Sequence, residues 1–486
     1  MNYRMMGRIN ALILAAEAVF MIPPLVLALV DGVYGTFRGF LYGILILLAV
    51  SGVLFLLSRG AQKGFYAREG LICVGVCWVI MSLLGCLPFW LSGEIPHYVD
   101  ALFEMVSGFT TTGATIVGDV EALSRAALYW RSFSHWVGGM GVLVFLLAVI
   151  PVGGQNKGFT MHLMRAESPG PDVGKLVPKM RQTAAVLYLT YVALTLLNFV
   201  FLLFGGMPVF DAVCTAFGTA GTGGFGIKND SMASYSPYLQ GVCTVFMLLF
   251  GVNFSCYYLL LLRKVRSVLR DEELRLYLGV VATSTLLIAV NLWRSVAQFA
   301  GSFGTALHHA AFQVSSIITT TGFSTASIND WPAFSQAILL GLMVIGACAG
   351  STGGGIKCAR VLLLCKGLHR NLAQLIRPRE VRLIRVSGKT VDEKVMANTN
   401  AYLCAYVVIL LVSTVVVSLD GLSFLANFSA VLSCFNNIGP GFAEAASNFS
   451  CFGPLSKVVL ILDMLAGRLE IFPILVLLSP SVWQSR

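Results

Sequence analysis

The sequence predicts an all-α polytopic membrane protein, and three observations predict it. Over 486 residues, hydrophobic side chains make up 57% and charged ones only 12%, with a mean hydropathy of +0.81. That leaves too little polar surface to cover soluble domains of this length. The apolar stretches are mostly 20 residues or longer and lack the strict alternation of a lipid-facing barrel strand, so they read as spanning helices. Between spans lie four short helix-compatible segments at matched places. Collagen, disorder, a secreted disulfide scaffold and a cytosolic enzyme are excluded by the same composition.

Taken in order, the chain first places Arg4 and Arg8 before an apolar run at 9–30. That run is too long for a signal-peptide core and lacks an A-x-A exit, so it is expected as an uncleaved first span. Further spans are expected at 39–58, 69–91, 126–150, 182–205, 238–262, 274–300, 333–365, 395–419 and 455–480, about ten in all. Both termini then share one side. With that side cytoplasmic, the inner segments hold 26 of the 33 Lys and Arg, against six near the outer side and Arg468 within a span. The net charge of +10 therefore reflects topology, and no nucleic-acid partner is expected. Ten of the inner cations fall in 357–394, a segment whose length suits a docking site for a soluble partner as well as an anchor. Outside, eleven acids, Glu104 among them, face six bases, a surface that concentrates cations. The twelve cysteines include no C-x-x-C pair and mostly sit in apolar runs, as small hydrophobes do.

The four short segments fall at 100–109, 211–217, 306–318 and 423–435. A helix of about ten residues cannot cross a hydrocarbon core of about 30 Å, so each must enter and return. The turns after them read F-T-T-T-G at 109–113, F-G-T-A-G at 217–221, I-T-T-T-G at 318–322 and F-N-N-I-G at 435–439. Their glycines lie 108, 101 and 117 residues apart, a repeat of span, half-helix, turn and span. The expected division is a two-span extension at 1–65 and pore repeats at 66–165, 166–270, 271–385 and 386–486. Four parallel repeats naturally surround one axis.

Non-helical backbone at membrane depth is tolerated only inside protein or along a watery path, because each unsatisfied amide or carbonyl costs several kcal/mol in lipid. Glycine allows the angles that turn carbonyls inward, and a carbonyl ring can replace the hydration shell of a monovalent cation. Each half-helix also directs its carbonyl end, roughly −0.5 charge, at the same point.

Those turns, together with the later run G-A-C-A-G-S-T-G-G-G-I-K at 346–357, resemble the Trk/Ktr/HKT superfamily of potassium transporters, and the two extra N-terminal spans resemble its bacterial TrkH branch. The resemblance covers essentially the whole chain. It implies a homodimer in the bacterial inner membrane with one pore per protomer, and a separate cytosolic nucleotide-binding regulatory subunit similar to TrkA. It assigns K+ filter roles to Thr111, Thr112 and Gly113, to Ala220 and Gly221, to Thr320, Thr321 and Gly322, and to Asn437, Ile438 and Gly439. Because relatives with Ser at the first-repeat glycine pass sodium, Gly113 favours potassium. Repeats two and four depart from T-T-G, so the ring cannot be strictly fourfold and its discrimination should be weaker than in tetrameric potassium channels.

Two further features lie in the expected pore. The glycine-rich run, with Gly346, Gly350, Gly353, Gly354 and Gly355, cannot hold a continuous helix. It fails as a phosphate loop, since Ile356 separates Gly355 from Lys357. Close helix packing through small residues is the other reading, whereas the resemblance implies a movable gate beneath the filter. Arg468 stands near Asp463 and Glu470. An intramembrane arginine is functional by default, either paired with one of those acids or facing the pore as a barrier to cations, and the resemblance supports the second. The G-x-G-x-x-G at 221–226 lacks a preceding strand and a suitable acid, so it is no dinucleotide site, and no organic cofactor is expected. His308 and His309 are adjacent and cannot form an i, i+4 metal pair. No catalytic constellation is present, so the expectation is a K+-conducting, channel-like subunit rather than an enzyme, with a proton- or sodium-coupled symporter as the alternative.

Overall fold

The computed structural model describes residues 1–60, 67–141, 180–296, 301–379 and 382–480. Within them the chain is helical apart from one hairpin that pairs Arg385–Val386 with Lys389–Thr390. Six helices are long and apolar enough to cross a membrane: Tyr3–Val30, Tyr34–Leu57, Arg68–Ser92, Ala185–Phe204, Glu272–Ser295 and Glu393–Asp420. They match the expected spans at 9–30, 39–58, 69–91, 182–205, 274–300 and 395–419, except that 297–300 lie outside the described residues.

Three of the other four expected spans are broken, where the sequence reading anticipated one break, and the described part of the fourth ends at Gly139. Pro237–Phe250 and Phe254–Leu261 meet at 87°. Ala333–Ile345 and Cys358–Ile376 are separated by the glycine-rich loop. Pro454–Arg468 and Phe472–Leu478 flank Glu470 and Ile471, both at positive φ. Arg125–Gly139 ends before Gly141, at φ +80, and 142–150 of that expected span lie outside the described residues. Glycine explains the interruptions near 140, 252 and 346–355, since Gly141, Gly251 and Gly346 to Gly355 weaken helix propagation by about 1 kcal/mol each. The break at 469–471 has no glycine within it and rests on tertiary contacts described below.

Between the spans stand four half-helices: Tyr98–Phe109, Val209–Gly221, Phe303–Ile318 and Phe424–Asn436. At 12 to 16 residues and 1.5 Å per residue they reach about 18–24 Å, short of a bilayer core. Ser302 and Ser423 cap the last two by accepting from the amides of Thr305 and Ala426 at 3.3 Å. The returning helices of the first two repeats are capped alike, Ser124 accepting from Ala127 and Ser236 from Leu239.

One core joins the N-terminal extension to the first and fourth repeats, through Leu14, Phe40, Trp78, Phe103, Trp130, Phe435 and Leu460. A second core forms around the third repeat and takes Ile438 from the fourth. Lipid tails are as apolar as leucine, so these contacts stabilise mainly by dispersion and fit. The extension packs against the helices of the first repeat, Arg68–Ser92 and Arg125–Gly139.

Candidate functional site

The four half-helices end in one conformation. A left-handed residue follows each helix: Thr111 (φ +56), Thr222 (φ +52), Thr320 (φ +57) and Asn437 (φ +56). The next amide reaches back five residues, from Thr112 to Ser107, Gly223 to Gly218, Thr321 to Ser316 and Ile438 to Ser433, at 2.8–2.9 Å. A positive-φ glycine then closes each turn, namely Gly113, Gly224, Gly322 and Gly439.

These glycines form a closed circuit. A Cβ on Gly113 would meet the Gly223 carbonyl oxygen, one on Gly224 that of Thr321, one on Gly322 that of Ile438, and one on Gly439 that of Thr112. Each repeat's glycine thus sits against the carbonyl before the next repeat's glycine, and the fourth returns to the first. Only glycine fits there, for want of space and because the φ angles are left-handed.

The second repeat corrects the sequence reading. Ala220 and Gly221 belong to the last helical turn, and the turn itself is Thr222, Gly223 and Gly224. The glycine spacings become 111, 98 and 117 residues. Two registers compete because F-G-T-A-G and A-G-T-G-G both place Thr two residues before Gly. The structure decides between them, since the helix continues through Gly221 and the left-handed residue is Thr222, with His135 packed against both Gly221 and Gly223. The G-x-G-x-x-G at 221–226 is thus largely this second turn.

Threonine side chains brace the turns from behind. Thr110 Oγ1 lies 2.7 Å from Thr112 Oγ1, and Thr319 Oγ1 lies 2.8 Å from Thr321 Oγ1. Asn437 Nδ2 donates to Thr112 Oγ1 at 3.0 Å and to the Met464 carbonyl at 2.9 Å, tying the fourth turn to the first.

The loop at 346–357 is held against this circuit. Gly354 N donates to Thr320 Oγ1 at 2.7 Å and Gly355 N to the Asn436 carbonyl at 3.1 Å. Gly346, Gly350 and Gly355 have positive φ, while Cβ atoms on Gly353 and Gly354 would meet the carbonyls of Thr319 and Asn436. On its other side the loop meets the broken second-repeat helix, Cys348 N donating to the Gly251 carbonyl and Phe254 N to that of Gly350. The loop therefore lies against the third and fourth turns and the broken second-repeat helix.

Arg468 joins this loop to the first repeat. It donates to the Thr352 carbonyl at 3.0 Å, to the Gly139 carbonyl at 2.8 Å and to the Gly138 carbonyl. The two nearby acids hold other groups: Asp463 accepts from Ser413 at 2.8 Å, and Glu470 is paired with Arg360 and lies 3.7 Å from Lys357. That clamp fixes the fourth-repeat break to the far end of the loop.

Glu104 is a second correction. Rather than facing the outer solution, it is fully buried and paired with Arg131 at 2.6 Å. His308 and His309 bond Gln240 Oε1 and Thr325 Oγ1 at 2.8 and 2.9 Å, as structural histidines do.

Comparisons place this geometry among known proteins. The family model TrkH, described as cation transport protein, matches residues 38–485. The Trk system potassium uptake protein TrkH of Salmonella typhimurium is 36% identical over 100% of both chains. The Trk system potassium uptake protein TrkG of Escherichia coli is 34% identical over 96% of this chain and 95% of that one. The crystal structure of the potassium transporter TrkH from Vibrio parahaemolyticus superposes with a TM-score of 0.87 at 33% identity, covering 100% of both chains.

Proposed function

Because this chain belongs to the TrkH family of cation transport proteins, we propose that it is a potassium uptake protein that conducts K+ through the circuit of four turns. The closed ring of glycines and carbonyls is the observation that supports this reading. Carbonyl oxygens can replace the water a partly dehydrated K+ gives up, and four half-helix carbonyl ends add negative potential at the same point. The filter residues are then Thr111, Thr112 and Gly113, Thr222, Gly223 and Gly224, Thr320, Thr321 and Gly322, and Asn437, Ile438 and Gly439.

The loop at 346–357 blocks the path below the filter, and Arg468 adds a positive barrier while locking the loop shut. Hydrogen bonds to a charged donor contribute about 1.5–3 kcal/mol each, so releasing the three carbonyls of Arg468 is a switch of useful size. The termini face the cytoplasm of a bacterial inner membrane, the protein forms a homodimer with one pore per protomer, and a nucleotide-binding subunit similar to TrkA acts on the cytoplasmic face.

Flux into proteoliposomes containing this chain tests the reading. Uptake that follows the K+ gradient alone supports a channel-like path, and a requirement for a proton or sodium gradient replaces it with a symporter. Equal K+ and Na+ flux that Gly113→Ser leaves unaltered would falsify the filter assignment.

A further inference from the structure

The four repeats share their turns but not the groups behind them. Glu104, seven residues before the left-handed Thr111, corresponds to Thr215, Gln313 and Ala430 in the other repeats. Counted from the returning-helix starts at Arg125, Pro237, Ala333 and Pro454, Arg131 corresponds to Cys243, Leu339 and Leu460, and His135 to Met247, Met343 and Met464. Among these positions the first repeat alone holds a carboxylate, a guanidinium and an imidazole.

All three are buried, and they tie the segment after the first turn to the segment after the second. Glu104 accepts from the Ile116 amide at 2.9 Å, from Thr115 Oγ1 at 3.0 Å and from Arg131 Nε at 2.6 Å. Arg131 also donates to Thr115 Oγ1 at 3.2 Å and to the Gly226 carbonyl at 3.3 Å. His135 Nδ1 lies 2.8 Å from the Gly108 carbonyl, which can only accept, so the proton is on Nδ1 and Nε2 accepts from the Phe225 amide at 3.3 Å. The Phe225 ring lies 4.1 Å from the guanidinium carbon and 4.2 Å from the imidazole centroid. Gly224, whose turn precedes that ring, is the glycine that meets the third repeat's Thr321 carbonyl.

We propose that the buried Glu104–Arg131 pair, with His135 and Phe225, positions the first and second turns relative to each other and thereby sets how far the ring discriminates K+ from Na+. A buried pair of this kind seldom adds net stability over an apolar replacement, whereas its fixed geometry specifies one arrangement. Potassium and sodium differ by a few tenths of an ångström in radius, so the spacing between repeats decides between them. These are positioning residues, which reach the ion only through the turns, and the inference rests on the filter reading above.

The test compares K+ with Na+ flux in proteoliposomes of full-length protein. The double variant E104Q/R131L installs in the first repeat the Gln and Leu that the third already holds at Gln313 and Leu339, leaving no charge buried alone. H135M installs the residue of the other three repeats. The K+/Na+ flux ratio should fall about tenfold in the double variant, or about 1.4 kcal/mol of discrimination, and several-fold in H135M. The ratio does not depend on how much protein inserts, so a merely structural role would not move it. Ratios within about twofold of wild type in both variants, beside a G113S protein whose ratio has collapsed, overturn the inference and leave the filter standing. An unchanged ratio in G113S removes the filter reading and this inference with it. Should the double variant fail to fold, H135M and F225L decide by the same criterion.

Discussion

At the residue scale, the consequences concentrate on positions where backbone meets backbone. Gly113 faces the Gly223 carbonyl at φ +79, so any side chain must displace an oxygen of the ring as well as strain its own backbone. Gly113→Ser should lower the K+/Na+ flux ratio at least tenfold while leaving a folded protein, to be read in the proteoliposome assay with size-exclusion chromatography as the folding check. Arg468 is the complementary case. Glutamine keeps some hydrogen-bonding capacity but removes the charge, so Arg468→Gln should raise passive K+ leak several-fold. Flux equal to wild type would sink the gating role. Arg468 was legible in the sequence because an intramembrane charge is costly. Its partners were not, since backbone carbonyls from two other repeats leave no signature in side-chain identity.

At the element scale, the loop at 346–357 was legible from its glycines, while the breaks near 140, 252 and 470 were read as continuous helix. The last of these shows why. Glu470 and Ile471 sit at φ +58 and +66, held by the pairing of Glu470 with Arg360, and Arg360 comes from a helix more than a hundred residues earlier. Local propensity gives no hint of it. Glu470→Gln leaves Arg360 and Lys357 buried without their shared acid, which costs roughly 3–5 kcal/mol when one partner of a buried pair is removed. The expected outcome is a lower melting temperature in detergent together with increased leak, because the same pairing anchors the loop's far end. A melting temperature and leak indistinguishable from wild type would show that the pairing anchors nothing.

At the scale of the whole molecule, the prediction concerns sidedness. Cys451 lies exposed in the segment between the fourth turn and its returning helix, and Cys365 lies exposed on the helix Cys358–Ile376. A membrane-impermeant maleimide applied to spheroplasts should label Cys451 at once and Cys365 only after permeabilisation. The reverse pattern would invert the assigned orientation. The circular order of the repeats also predicts that the fourth-to-first contact, Asn437 to Thr112, matters as much as any contact between consecutive repeats. Asn437→Leu should therefore cut K+ flux several-fold, measured in the same vesicles.

Local chemistry and periodicity along the chain encode the helices and the turn motif. Runs of apolar residues encode helices, the Lys and Arg bias supplies an expected orientation, and a Thr or Asn two residues before Gly marks all four turns, with two competing registers in the second. The tertiary structure alone decided the register of the second turn, where the helix runs on through Gly221 and Thr222 takes the left-handed place. It alone withdrew Glu104 from the outer surface by bringing Arg131 to it, and it alone gave Arg468 its three carbonyls. In each case the deciding interaction joins residues distant in sequence. A pattern read along the chain can state which groups need a partner, but only the closed ring of repeats supplies one.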